Sequence, residues 1–234
     1  HTAYRRQRQM CIRDRLKEVI KKYSKPRNTM FFYKNDIEDV DIVEEIPDYP
    51  VNLFLSGSGY FKKITPQSLR MSSEQKLKEG DSIIIHKEAT NLTELLFFTD
   101  KCQVYKSRAS AFDDTKASVL GDYVPAKLGF DEGEELLYMA DTIDYEGYML
   151  FFFENGKAAK VPLKAYETKT NRKKLANAYS GKSKLCGMLY ISEDIDIMLR
   201  SSNGKVIIFN TSLLNPKSTR DTIGVQTMTL KGNY

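Results

Sequence analysis

The chain has 234 residues, of which 41% are hydrophobic and 29% charged, with a formal net charge of +5 at pH 7. This is ordinary globular composition, and no apolar run reaches the roughly 20 residues of a membrane-spanning helix, so we expect no membrane span. The three cysteines, Cys11, Cys102 and Cys186, are odd in number and far apart; they indicate neither a disulfide framework nor a metal site, and they fit a reduced cytosol.

The first 15 residues carry five Arg and one Asp without amphipathic order, and we interpret residues 1–15 as a non-native leader. The alternative is a basic arm that lies on nucleic acid. Residues 16–23 predict the last turns of a helix, with Leu16, Val19 and Ile20 on one face. Pro26 ends this helix, because the residue before a proline is pushed out of the helical region. Residues 16–48 are therefore the end of a helix and a linker.

A repeat dominates the rest of the chain. Four apolar runs stop at a turn residue, and each is followed by a second run that carries lysine. In three of the four repeats a lysine stands at the same distance after the turn residue. The turn residues are Gly59, Cys102, Gly156 and Gly204, which are 43, 54 and 48 residues apart. Periods of this size are typical of four-stranded blades in a radial array. Residues 49–234 therefore predict an all-β, propeller-like domain of about four four-stranded blades, without long helices after residue 24.

Two of the turns have a specific prediction. Asn155-Gly156 and Asn203-Gly204 are strong signals for two-residue hairpins of type I′, in which both central residues have positive φ. After a loop rich in Lys, Ser and Thr, each repeat is expected to close with a second, more polar hairpin.

The phase of the basic residues within the repeat suggests a partner. Lys63, Lys106 and Lys160 stand four residues after the first three turn residues, and Arg172 and Arg220 stand sixteen after the last two. Equivalent positions of a radial array lie at equivalent places on its rim, so these cations would form a curved track. Bent duplex DNA suits such a track. The alternative is that lysines protect strand edges and solvated faces.

The residues also resemble a known family. Residues 51–69, with the core Gly59-Tyr60-Phe61-Lys62-Lys63, resemble the first blade of the C-terminal domain of the A subunit of bacterial type IIA topoisomerases, topoisomerase IV and DNA gyrase. Residues 156–166 resemble a later blade, and 219–225 resemble the pattern that closes such blades. Residues 16–48 resemble the end of the subunit's long helix and its linker. The resemblance covers nearly all of 16–234.

The resemblance implies a β-pinwheel, a propeller-like disc whose blades exchange strands, with a positive rim that bends duplex DNA and presents it for strand passage. Rim cations would contact phosphates and would not read bases. The candidate DNA-binding residues are Lys62, Lys63, Lys106, Arg108, Lys157, Lys160, Arg172, Lys173, Lys174, Lys217 and Arg220.

The resemblance further implies a cytoplasmic, ATP-dependent parent enzyme in which an ATPase B-type subunit completes an A2B2 heterotetramer. ATP and Mg²⁺ would act elsewhere in that complex, so we expect no cofactor, no metal site and no catalytic residue in this fragment. The family's nucleophilic tyrosine stands in an Arg-Tyr-Thr context, which none of the 14 tyrosines here has. His86 is the single histidine outside the leader, which gives a His-based triad or zinc site no basis.

One departure from the family separates its two branches. Gyrase carries a basic, glycine-rich box in the first blade, whereas residues 70–81 read RMSSEQKLKEGD, with Gly80 as the single glycine. We therefore predict a topoisomerase IV-like protein, with a true gyrase domain as the alternative. Four repeats point the same way, although truncation at Tyr234 also explains that count. A different alternative is a propeller-like scaffold in which the acidic segment 131–146 and the basic segment 157–184 dock partner proteins.

Overall fold

The structure, a computed structural model, describes residues 2–25, 46–72, 74–168 and 173–229. The chain divides into two compact units, His1–Glu45 and Ile46–Tyr234. The described part of the first unit is dominated by one helix, α1 (Thr2–Tyr23), whose described side chains are exposed. The helix ends before Pro26, as the sequence predicts, but it begins inside the segment interpreted as a leader. Among the described residues, no helix combines the length and apolar character that a membrane crossing requires.

The second unit is built from short strands that follow one another along the chain. The strands are β1 (Pro50–Ser56), β2 (Tyr60–Ile64), β3 (Ile83–Thr90), β4 (Glu94–Thr99), β5 (Gln103–Arg108), β6 (Asp122–Tyr123), β7 (Leu136–Thr142), β8 (Tyr148–Phe153), β9 (Lys157–Pro162), β10 (Lys174–Ala176), β11 (Leu185–Ile191), β12 (Asp196–Arg200), β13 (Val206–Asn210) and β14 (Val225–Gln226). Two short helices, α2 (Pro66–Met71) and α3 (Val124–Leu128), interrupt them. The expectation of an all-β domain without long helices holds for the described part of this unit.

The strands form successive antiparallel sheets that share strands between repeats. The orders are β3-β1-β2-β6, β10-β5-β4-β7 and β11-β8-β9-β14, and β12-β13 form a fourth, two-stranded sheet within the described residues. In each of the first three sheets a hairpin occupies the middle, and the third strand of the same repeat returns to pair with the first. The fourth strand comes from the next repeat. The expected second hairpin is therefore wrong, because the polar strands pair with different sheets.

The four turn residues identified from the repeat are structurally equivalent. Their φ angles are all positive: 83° at Gly59, 55° at Cys102, 74° at Gly156 and 83° at Gly204. We call the strand that the next repeat supplies the exchanged strand. In the first three sheets the carbonyl of the turn residue also accepts a backbone hydrogen bond from a residue one or two positions after the exchanged strand. The donors are the amides of Val124, Ala178 and Thr227, at 3.0, 2.8 and 3.0 Å. The repeat register read from the sequence is thus correct.

The type I′ prediction for two of these turns is wrong. Of each Asn-Gly pair only the glycine has a positive φ. The amide of Gly156 donates to the carbonyl of Phe153 at 3.0 Å, and that of Gly204 donates to the carbonyl of Ser201 at 3.0 Å. Each loop is therefore a three-residue hairpin loop, in which a hydrogen-bonded turn ends in one left-handed residue. The glycine is that left-handed residue.

The core lies between neighbouring sheets. Leu53 and Phe61 of the first sheet pack in one buried cluster with Phe97 of the second, and the Phe61 and Phe97 rings meet edge to face at 6.0 Å. Phe98, on the opposite face of β4, joins Phe151 of the third sheet in another cluster. Both faces of β1, β4 and β8 are therefore covered, which explains why these strands are nearly continuous apolar runs.

Candidate nucleic-acid interface

Two of the three recurrent lysines have their ammonium groups enclosed by the protein. Lys63 is 3% exposed, and its Nζ donates to Asn91 Oδ1 at 2.8 Å and lies 3.1 Å from Asp114 Oδ1. Lys160 is 4% exposed, and its Nζ donates to Asp194 Oδ1 at 2.6 Å. Buried charges are retained in proteins when they are paired and hydrogen-bonded in this way. Because both ammonium groups are buried and paired inside the protein, the structure does not support the prediction that they contact DNA.

The same correction applies to Lys62, which lies on the other face of β2. Its side chain is 3% exposed, and Nζ donates to the carbonyls of Lys76 at 2.7 Å and Ala117 at 3.1 Å and to Gln75 Oε1 at 3.2 Å. Burial lowers the pKa of this lysine. Lys62 ties β2 to loops that cover the first sheet, which is an internal structural role.

A tyrosine accompanies each recurrent lysine. The ammonium groups of Lys63, Lys106 and Lys160 lie over the rings of Tyr49, Tyr145 and Tyr148, at 5.7, 4.9 and 4.4 Å from the ring centroids. Each lysine is also ion-paired, to Asp114, Glu94 and Asp194 respectively. The recurrence that the sequence shows is therefore a repeated packing motif of lysine, tyrosine and carboxylate. It holds the second hairpin strand against segments distant in sequence.

Replacing Lys160 with Met should separate this structural role from DNA binding. The substitution keeps most of the volume but removes the ammonium donor from the Thr211 carbonyl and from Asp194, which keep the Leu214 amide and the Thr211 hydroxyl as their other donors, so we expect a loss of about 2 kcal/mol in the free energy of unfolding. Urea denaturation measures this loss. If the domain binds duplex DNA, the salt dependence of that binding should be the same in the folded variant, and a shallower dependence would show that Lys160 contacts phosphate.

The pKa of Asp194 reports the same pair. A hydrogen bond from Lys160 and a second from Thr211 lower the pKa of the Asp194 carboxyl group below its ordinary value. Because the folded-state value is lowered, the pair stabilises the protein above the unfolded-state pKa of about 4 and loses this contribution as pH falls through the lowered value. NMR titration should find a higher pKa for Asp194 in Lys160→Met than in the unchanged protein. An unchanged pKa would contradict the hydrogen bond from Lys160 as its cause.

The remaining predicted cations are more accessible. Lys173 and Lys217 are exposed, as is Lys174, although its Nζ lies 2.7 Å from Asp131 Oδ2. The Arg108 side chain is 56% exposed. The partly exposed members are Lys106, Lys157 and Arg220, whose guanidinium lies 5.9 Å from the Tyr166 ring centroid. Arg172 lies outside the described residues.

Three exposed lysines lie on segments that contact the recurrent lysines through the backbone. In each of the first three sheets, a segment of the next repeat runs beside the recurrent lysine. The same repeat then supplies the exchanged strand. The contacts are Thr115 N to Lys63 O at 2.7 Å, Lys106 N to Lys173 O at 2.7 Å and Lys217 N to Lys160 O at 2.9 Å. Lys116, Lys173 and Lys217, which we call the crossing lysines, are all exposed on these segments. Lys116 stands roughly in phase with the repeat but is not among the candidates selected from the sequence.

A basic groove of about 710 Å³ lies beside β5 and α3. Its described walls carry four cationic side chains, Lys106, Arg108, Lys127 and Lys173, and one acidic side chain, Glu94. Lys127, at the end of α3, pairs with Asp122 at 2.8 Å. Lys127 and Glu94 are not predicted from the sequence, because neither stands in phase with the repeat, and α3 itself has only the weak sequence signal of Pro125.

The acidic segment 131–146 is partly internal. Glu134 is 6% exposed and accepts hydrogen bonds from the Tyr105 hydroxyl at 2.7 Å, from the Asp131 amide at 2.9 Å and from the Thr99 hydroxyl. Asp131 pairs with Lys174, and the hydrogen bond from Lys174 holds the pKa of Asp131 below its usual range. The segment is therefore bonded to β4, β5 and β10, and offers fewer free carboxylates than its composition suggests.

The shared strands and sheet order define the class of fold. This is the β-pinwheel of the C-terminal domains of type IIA topoisomerase A subunits. A crystal structure of the C-terminal domain of DNA topoisomerase IV matches with a TM-score of 0.69 and 24% identity, over 80% of this chain and 59% of that one. The C-terminal domain of DNA gyrase A matches with a TM-score of 0.50 and 18% identity, over 78% of this chain and 61% of that one.

The sequence comparison agrees with this class of fold. The chain is homologous to the A subunit of DNA topoisomerase 4 from Staphylococcus aureus, with 25% identity over 227 residues, or 94% of the chain. The chain spans 28% of the length of that relative. No family model matches the sequence. Homology to the topoisomerase IV A subunit and the pinwheel fold together confirm the resemblance identified from the first-blade residues.

Proposed function

We propose that this chain is a duplex-DNA-binding and DNA-bending domain of a bacterial type IIA topoisomerase A subunit. The observation that carries the proposal is the recurrence of exposed crossing lysines beside three successive sheets. Cations that recur beside successive sheets of a pinwheel suit a ligand with repeated negative charges. The phosphates of a duplex have this spacing.

The proposed contact set differs from the one that the sequence selects. It contains the crossing lysines together with Arg108 and Arg220, whose guanidinium groups are at least partly accessible. It omits Lys62, Lys63 and Lys160, whose ammonium groups are used inside the protein. Phosphate contacts of this kind fix the position of the duplex without reading its sequence.

Salt dependence of binding tests the proposal. A contact set that neutralises about five phosphates gives log K against log salt a slope of about −4.5. Fluorescence anisotropy with two unrelated duplexes, in salt from about 50 to about 200 mM, measures this slope. Equal slopes for both duplexes support phosphate contact. Absence of duplex binding even at low salt would remove the proposal and favour a protein-interaction scaffold.

We further propose that the parent protein is topoisomerase IV-like. The homology to the A subunit of topoisomerase 4 supports this, as does the first-blade segment 70–81, which has one glycine and nearly balanced charge. In that parent, a cytoplasmic ATP-dependent A2B2 complex with an ATPase B-type subunit, the domain would present bent duplex for strand passage. ATP and Mg²⁺ would be used outside this chain.

A further inference from the structure

Lys106 differs from the other two recurrent lysines although it occupies the same repeat position. Lys63 and Lys160 each have an acceptor within 2.8 Å and are at most 4% exposed. Among the described residues, Lys106 Nζ donates to Thr168 Oγ1 at 3.1 Å, and the Lys106 side chain is 13% exposed on the wall of the basic groove. In this one sheet, the internal lysine therefore opens onto a cavity.

Glu94 lies beside two of the groove's cations, Lys106 and Arg108, and it holds them loosely. Its oxygens lie 4.0 Å from Lys106 Nζ and 3.6 Å from Arg108 Nε. Both separations exceed hydrogen-bond distance. The close hydrogen bond to Glu94 comes instead from the neutral hydroxyl of Tyr145. Lys106 and Arg108 thus lie beside a carboxylate that Tyr145 already engages, on the wall of a groove with room for a further anion. Burial lowers the pKa of Lys106, and the charges of Glu94 and Glu167 act in the opposite direction.

We propose that this groove is a phosphate-binding pocket whose cations, Lys106 and Arg108, are held by Glu94 until a phosphate displaces it. The pocket rests on, and deepens, the proposed DNA-binding function. Lys173 is both a crossing lysine and part of the groove wall, so the pocket continues the proposed contact surface inward. Tyr145 keeps Glu94 in place beside the cations, and the carboxylate then competes with the incoming phosphate for them.

The shared chemistry is a phosphate group, which has two sources. One is a phosphodiester of duplex DNA, and the other is free inorganic phosphate. If the groove serves DNA, a duplex should bind more tightly than inorganic phosphate and should be displaced by it only weakly. If the groove serves the free ion, phosphate should shift the Lys106 and Arg108 amide signals in NMR spectra at low concentration, and duplex should not compete.

Glu94→Gln tests the pocket directly. Glutamine keeps the shape and an acceptor for the Tyr145 hydroxyl but removes the competing charge, so duplex affinity should rise about fivefold. Adding Arg108→Gln to that variant should abolish the gain, because the released cation is then missing. Glu135→Gln removes the same charge from an exposed site outside the groove and serves as the matched control. Anisotropy measures affinity, and circular dichroism confirms that each variant is folded.

The outcomes separate this inference from the proposed function. A rise in Glu94→Gln alone, lost in the double variant, supports the pocket. Normal duplex binding that Glu94→Gln leaves unchanged, or an equal rise in Glu135→Gln, overturns the pocket while the DNA-binding proposal stands. If no variant binds duplex, the proposed function fails. The inorganic phosphate titration then decides the pocket alone, and unchanged Lys106 and Arg108 signals overturn it too.

Discussion

Replacing Lys116, Lys173 and Lys217 together with alanine is expected to lower duplex affinity about a hundredfold at about 0.1 M salt. Each crossing lysine is exposed and lies on a segment anchored through the backbone to the neighbouring sheet. If each neutralises one phosphate, the slope of log K against log salt becomes shallower by about three. The loss should be the same for unrelated duplexes, since phosphates carry no sequence information.

Two controls sharpen this test. Replacing the same three lysines with arginine keeps the charge and should retain most of the affinity. Replacing Lys182 and Lys184, which are exposed but outside the proposed contact set, should have a small effect. All these positions are exposed, so the free energy of unfolding should change by less than about 0.5 kcal/mol per residue. A slope that stays unchanged in the triple alanine variant would exclude the crossing lysines as phosphate contacts.

Gly121→Ala should destabilise the second unit by about 3 kcal/mol or detach the exchanged strand β6. Gly121 precedes β6 and has a φ of 86°, and an added Cβ would lie 2.3 Å from the Phe61 carbonyl oxygen and 2.6 Å from Lys62 Cγ. The left-handed backbone costs an alanine about 1–2 kcal/mol. The clash with a backbone atom adds to this because β2 is held by its own sheet.

Gly133→Ala isolates the steric part of that effect. Gly133 has a φ of 66°, but nothing lies within 4 Å of an added Cβ. Alanine there bears only the backbone strain, so its loss should be about 1–2 kcal/mol. Urea denaturation compares the two variants, and hydrogen exchange at Phe61 reports whether β6 has separated from β2. Equal losses in both variants would contradict the close approach of Gly121 to β2.

The sequence predicts the repeat more reliably than it predicts the faces of the strands. Gly59, Gly156 and Gly204 are recognisable because a left-handed turn favours glycine, whereas Cys102 is found by spacing alone, since it is a non-glycine residue in the left-handed region. The class of fold follows from this register. The exchanged strands have no comparable signal, since β6 and β14 are two residues long and their pairing partners lie in another repeat.

The candidate site was predicted in part, for a physical reason. Strand alternation assigns one face to a core and one to solvent, but here both faces of β2 are covered, so Lys62 and Lys63 are both buried. A lysine in phase with a repeat therefore indicates that its surroundings recur from repeat to repeat. It does not indicate that the side chain is exposed to solvent. Lys173 and Lys217 were selected correctly as accessible cations, since they lie on polar segments between strands.

The borrowing of one strand from the following repeat has a consequence during protein synthesis. When β1, β2 and β3 have left the ribosome, the first sheet still lacks its edge partner β6, which follows only after the next hairpin, β4 and β5, has been made. Each sheet is thus completed only when the next repeat has been synthesised. Folding of the domain therefore lags about one repeat behind synthesis. The nascent domain always carries one open edge at its growing end, where a chaperone or an unrelated strand has a template for pairing.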